Sequence, residues 1–182
     1  MNEETLVEAC IEGDYRAQKK LYQLFAPQMM GVCMRYSSSV ADAEDILQEG
    51  FIRVYGHLET YSGKGALGGW IRRIMINMAL QRFRENKNME LVRLEDSNVH
   101  LREVSDDVLT RMSADELMAK LQKLPIGFRT VFNLYAIEGY KHHEIADQLG
   151  ITEGTSKSQY SRSRALLREM IEKENRIGER AI

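Results

Sequence analysis

Residues 142–171 read HHEIADQLGITEGTSKSQYSRSRALLREMI, and this stretch decides the fold. Ile145, Ala146 and Leu149 recur at helical spacing, which predicts a short helix from His142 to Leu149. Gly150 follows and suits the positive φ of a tight turn. Ile151 plugs the corner, and the Thr152 side chain can cap a second helix starting at Glu153. Helix, glycine turn and capped helix together make a helix-turn-helix. Spacing predicts that the second helix buries Tyr160, Leu167, Met170 and Ile171. It then exposes Lys157, Ser158, Ser161, Arg162, Arg164 and Arg168. From Thr155 to Arg168 there are four basic residues and no acidic one. Cations for phosphates, with small hydroxyls and arginine for base edges, are what a helix entering a DNA major groove needs. A solvated amphipathic helix without a partner is the plainer alternative, and the turn chemistry favours DNA.

Working outward, Leu117, Leu121 and Leu124 form an earlier helical stripe. Pro125 fits the first turn of the next helix, which carries Val131, Phe132, Leu134, Tyr135 and Ile137 and ends at Gly139. Residues 91–112 lose this periodicity and gain acid at Glu95, Asp96, Glu103, Asp106 and Asp107, as an interdomain linker would. Before them the pattern is helical again. A short helix runs from Thr5 to Glu12 and stops at Gly13. Asp14 caps a second one, which carries Ala17, Leu21, Leu24 and Phe25; Pro27 should kink or break it, and a further stretch reaches Tyr36. Ser39 and Asp42 open another helix as a capping box with Asp for Glu. Its apolar stripe is Ala43, Ile46, Leu47, Phe51 and Val54, and its other face carries Asp42, Asp45 and Glu49, with Glu44 and Gln48 alongside. Tyr61 to Gly69 reads as a glycine-rich loop, followed by a helix from about Trp70 to Arg84. There Ile71, Ile74, Met75 and Met78 face inward while Arg73, Asn77, Gln81 and Arg84 share the opposite face. With two prolines in 182 residues and few alternating segments, the chain is expected to be all-α: two small helical domains, 1–90 and 113–182, joined by a flexible linker at 91–112.

The net charge of −2 hides a block structure. Residues 1–60 carry five basic and ten acidic groups, residues 61–90 six and two, residues 91–118 three and seven, and residues 119–182 eleven and eight. Local blocks govern polyanion binding more than the total does. No apolar run is long enough to span a bilayer, and the acidic start lacks a secretory pattern, so a cytoplasmic location is expected. Cys10 and Cys33 lack paired spacing and read as small buried hydrophobes. His142, His143 and the acidic cluster show no metal-ligand spacing, so neither a cofactor nor catalysis is expected.

Two strings carry a family resemblance. LPIGFRTVFNLYAIEGYKHHEIADQLGITEGTSKSQYSRSRALLRE is similar to region four of the extracytoplasmic-function (ECF) sigma factors, and ADAEDILQEGFIRVYGHLETYSGKGALGGWIRRIMINMALQRFR to their region two. The pair, in order and at the right separation, is specific. A helix-turn-helix repressor or activator would share only the first string. The resemblance implies a protein that lends core RNA polymerase promoter recognition. It places Asp42, Asp45, Gln48, Glu49 and Phe51 at positions that dock on the β′ clamp helices, and an acidic face suits a basic coiled coil. It implies further contact with the β flap and an anti-sigma partner. Ser62, Gly63, Lys64, Gly65 and Ala66, with Asn77 and Gln81, match positions at the −10 element, where the family flips a base from the stack. Arg72, Arg73 and Arg84 would hold phosphates, and Tyr61 and Trp70 could stack, with the core as the plainer place for Trp70. Thr155, Lys157, Ser158, Ser161 and Arg162 fall against the −35 element. Ser156 and Gln159 depart from the pattern, which commonly has an apolar residue and arginine there. Lys141 replaces the usual hydroxyl cap.

Overall fold

The structure is a computed structural model that describes residues 2–85 and 113–180. The expected linker at 91–112 lies outside the described residues. Every regular element among the described residues is helical, and these elements form two compact units.

In the first unit α1 (Glu3–Ile11) starts under the Asn2 side chain, which accepts from the Thr5 amide at 2.8 Å. A left-handed Gly13 turns the chain, and Asp14 caps α2 (Tyr15–Tyr36), accepting from the Arg16 amide at 2.7 Å. Pro27 does not break α2, so the break that the sequence allowed for is absent. Proline costs a helix one amide donor and crowds the carbonyl four residues earlier. Here that local cost is outweighed by burial on both sides of Pro27, from Ala17 and Leu21 to Met29, Val32, Cys33 and Tyr36.

Ser39 opens α3 (Val40–His57) by accepting from the Asp42 amide at 3.1 Å. The reciprocal half of the capping box is displaced by one residue, since Asp42 Oδ2 accepts from the Ser38 amide at 3.0 Å. The predicted stripe of α3 is buried as expected, down to Ala43 and Val54 at 0% exposure. A 3₁₀ turn (Leu58–Thr60) leads to the loop.

The next helix, α4 (Leu67–Glu85), starts three residues before the expected Trp70. Leu67 is fully buried, and the Glu3 carboxylate accepts from its amide at 3.2 Å, which suits the positive end of the helix. Gly68 belongs to this first turn rather than to a loop, and a Cβ there would lie 3.1 Å from the Phe25 ring. Small size, not freedom, is what the position requires.

The second unit begins with a full capping box on α5 (Ala114–Leu121), in which Ser113 and Glu116 satisfy each other's amides at 3.0 and 3.3 Å. Pro125 caps α6 (Ile126–Phe132), which runs into a π turn (Asn133–Ile137), and Gly139 stops the chain with φ of +78°. Then α7 (His142–Leu149), a left-handed Gly150 and α8 (Glu153–Arg180) complete the helix-turn-helix. Leu121, Leu124, Phe132 and Leu167 form the core, with Leu117, Ile137, Tyr160 and Met170 packed around it.

Part of this interior is polar. Thr130, Asn133, Ser156 and Ser163 are 0% exposed, and Gln159 only 3%. The two departures at Ser156 and Gln159 therefore lie inside the protein and do not face solvent.

Candidate functional site

Three surfaces hold the residues singled out from the sequence. The first is the loop before α4. Ser62 to Ala66 are all exposed, with Gly63 and Gly65 at φ of +70° and +88°. The Tyr61 hydroxyl donates to the Gly65 carbonyl at 2.6 Å and so closes the loop on itself. The Tyr61 ring lies 5.7 Å from Trp70, and both are half-buried, so each spends part of its face on the other. Along α4, Arg73, Asn77 and Arg84 are exposed, while Arg72 and Gln81 are half-buried. An open cleft of about 280 Å³ lies between α3 and α4, lined among others by Arg53, His57, Trp70, Arg73 and Asn77. Arg53 also donates to the Gln81 side-chain Oε1 at 3.3 Å. The sequence reading missed Arg53 and His57. Their i, i+4 spacing on α3 was the available signal, but which helix they would face was not.

The second surface is the acidic side of α3. Asp45, Gln48 and Glu49 are exposed as expected. Phe51 is not, at 2% exposure. It packs on Tyr22 with ring centroids 4.7 Å apart, so it serves the core and cannot present its ring to a partner. Arg82, which the sequence reading passed over, crosses from α4 to meet the acids. Its guanidinium lies 2.9 Å from Asp42 Oδ1, 3.0 Å from Glu49 Oε1 and 3.6 Å from Asp45 Oδ2. Burial opposes its charge, but hydrogen bonds to Asp42 and Glu49 more than offset this and raise its pKa above the ordinary arginine value. Asp42 is thus engaged at both oxygens, by Arg82 and by the Ser38 amide. Asp45 and Glu49 keep more of their surface for a partner.

The third surface is the start of α8. Thr152 Oγ1 accepts from the Thr155 amide at 3.0 Å, as the capping argument required. Lys157, Ser158 and Ser161 are exposed; Thr155 and Arg162 are half-buried. The acid-free run is bracketed by acids just outside it, which reduce its field: Lys157 pairs with Glu153 at 2.7 Å and Arg168 with Glu172 at 2.6 Å. Exposed pairs of this kind are worth about 0–1 kcal/mol, so a phosphate can displace them. Arg164 leans over the Tyr160 ring at 5.8 Å. Lys141 has no acceptor with which to cap α7, and only the Glu144 carboxylate serves there, accepting from the Lys141 amide at 2.7 Å.

Behind the recognition helix His142 is held on two sides. Its ring stacks on Tyr135 at 4.3 Å, and its Nδ1 lies 3.0 Å from the buried Ser156 hydroxyl. Burial, then the nearby Lys157, lowers its pKa below the usual histidine value, while Glu153 opposes the shift. A lowered pKa means that folding favours the neutral ring. The stabilisation is present above the ordinary value, near 6.5, and is lost as pH falls through the folded value. The melting temperature of the helix-turn-helix unit should therefore drop as pH goes from 7 towards 5, and His142→Gln should flatten that slope. An unchanged slope in the variant would exclude His142 as its source.

Among the described residues no group of three histidine, cysteine or acidic side chains could hold a metal. No described helix is long and apolar enough to cross a membrane.

Two known family models match the chain. Residues 21–89 match the family model for Sigma-70 region 2, and residues 114–167 that for Sigma-70, region 4. The chain is 29% identical over 171 residues to the ECF RNA polymerase sigma factor SigW of Bacillus subtilis, covering 88% of this chain and 91% of that protein. It is 33% identical over 163 residues to the ECF RNA polymerase sigma factor SigE of Mycolicibacterium smegmatis, covering 85% of this chain and 61% of that one. Among solved structures, CnrH in complex with the cytosolic domain of CnrY is similar at 21% identity and a TM-score of 0.48, covering 92% of this chain and 96% of that one.

Proposed function

The chain belongs to the ECF RNA polymerase sigma factors, which direct the polymerase to promoters, and from that premise we propose how its surfaces divide the work. The observation that carries the division is the placement of exposed polar side chains on two separate compact units. The first unit, residues 1–90, takes core polymerase on the exposed side of α3 around Asp45, Gln48 and Glu49, with the β′ clamp helices as the partner. It takes the −10 element with the loop from Ser62 to Ala66 and with Arg73, Asn77, Gln81 and Arg84; Arg72 supports that surface from its edge. The Asn77 and Gln81 amides can donate and accept, as base reading requires. The second unit, residues 113–182, reads the −35 element with Thr155, Lys157, Ser158, Ser161 and Arg162, near the β flap. Residues 91–112 join the two. The protein acts by binding and not by catalysis, in the cytoplasm where its polymerase is, and an anti-sigma factor is the expected restraint.

Two substitutions separate these roles. Asn77→Ala should impair strand opening with little effect on initial duplex binding. Arg162→Ala should weaken binding at the upstream element, by about 1–3 kcal/mol if a specific base contact is lost. Permanganate footprinting and gel shifts with the polymerase complex read the two steps. Wild-type behaviour of both variants would remove these residues from the interface.

A further inference from the structure

Since Phe51 is spent on the core, an apolar contact on the exposed side of α3 has to come from another residue. Ile52 is placed for it. Its side chain is 70% exposed, and it follows Glu49, Gln48 and Asp45 by three, four and seven residues, so the four share one stripe. Isoleucine at a solvated helix position brings a stiff χ1 and reduced helix propensity, and a side chain this exposed gains little from folding. Next to it stands an organised set of charges. Asp42, Asp45 and Glu49 would repel one another on neighbouring turns, but the Arg82 fork reaches all three, at 2.9, 3.6 and 3.0 Å. The pairing restricts the carboxylate rotamers and leaves Asp45 at 64% and Glu49 at 48% side-chain exposure. An apolar centre beside oriented charges is the anatomy of an interface hot spot.

We propose that Ile52 is the apolar anchor of the polymerase-docking face and Arg82 its positioning residue. The surface they fit is a basic helical one with an apolar notch between its cations. This rests on the reading of α3 as that docking face.

Equilibrium binding of the full-length protein to bacterial core RNA polymerase, with circular-dichroism melts of each variant, tests it. Ile52→Ala keeps the charge and favours the helix, so it should fold normally and bind tenfold or more weakly. Arg82→Ala makes the face more acidic. Plain attraction to a basic partner would tighten binding, whereas a positioning role weakens it at least threefold. Arg82→Lys should restore only part, because an ammonium cannot fork between carboxylates. In a background of Asp45→Asn with Glu49→Gln, adding Arg82→Ala should change affinity by less than twofold, since neither exposed acid of the docking face remains to be positioned. A purely structural arginine would show the same loss in both backgrounds, which would overturn its role. Weaker binding by the acid double variant with Ile52→Ala within twofold of wild type would refute the anchor and leave the docking reading standing. No loss in any of these variants would remove both.

Discussion

Leu167→Ala is expected to impair the proposed −35 recognition strongly by destabilising the unit proposed to carry it. Leu167 is fully buried in α8, at the centre of a core it shares with Leu121, Leu124 and Phe132. Truncating such a leucine costs about 2–5 kcal/mol from lost transfer free energy and the cavity left behind. Small domains have only about 5–15 kcal/mol in total, and this interior already spends volume on Thr130, Asn133, Ser156 and Ser163. Polar groups there contribute little apolar burial to offset the loss. The thermal transition of the second unit should fall steeply, and upstream DNA binding by the polymerase complex should weaken with it as the temperature rises. Docking through α3 should survive, since the two units are separately compact. A melting temperature within two or three degrees of wild type would show that this core is more tolerant than its burial implies.

Gly50→Val should disable the first unit just as selectively. Gly50 lies on the buried side of α3, and a Cβ built there overlaps the sulfur of Met75, a fully buried side chain whose flexible end must shift to make room. Removing a glycine from a helix interior gains about 0.5–1 kcal/mol. Overpacking a filled core costs about 1–3 kcal/mol, and valine adds two methyls beyond the Cβ, so the loss wins. With α3 pushed off α4, the Arg82 bridge to Asp42 and Glu49 should open and polymerase affinity should fall with stability. Gly56→Ala supplies the control. It sits on the same helix with nothing within 4 Å of a new Cβ, so it should be neutral or slightly stabilising. Equal behaviour of the two variants in a thermal melt would mean that α3 and α4 are not in close contact at Gly50.

The parts of this fold that were legible in the sequence are those set by neighbours a few residues away. Gly150 and Thr152 announced the turn and the cap of α8, Asp14 the start of α2, and the spacing of Ala43 to Val54 the inner side of α3. What the sequence concealed depends on residues far along the chain. Pro27 remains helical because distant partners bury the residues around it. Gly68 lies in the first turn of α4 with Phe25 close enough that a Cβ would crowd its ring. Arg82 meets acids 33 to 40 positions earlier, a pairing that no local pattern encodes. Ser156 and Gln159 look like a solvated face by residue type, yet both are buried. Phe51 fitted two patterns at once, an apolar stripe and a docking motif, and the structure assigns it to the stripe.

The π turn at Asn133–Ile137 bears on how the chain tolerates insertions and deletions. It closes with the Glu138 amide reaching the Asn133 carbonyl at 2.9 Å, one residue more than an α-turn spans. An α-helix advances about 100° per residue, from 3.6 residues per turn. Deleting one residue here would give a smoother helix, but it would swing everything after it by more than a quarter turn about the axis. Tyr135 would leave the His142 ring, Gly139 would no longer end the helix in the right direction, and α7 and α8 would be presented from a different side. A one-residue indel that would pass unnoticed in a surface loop would at this position re-aim the helix-turn-helix.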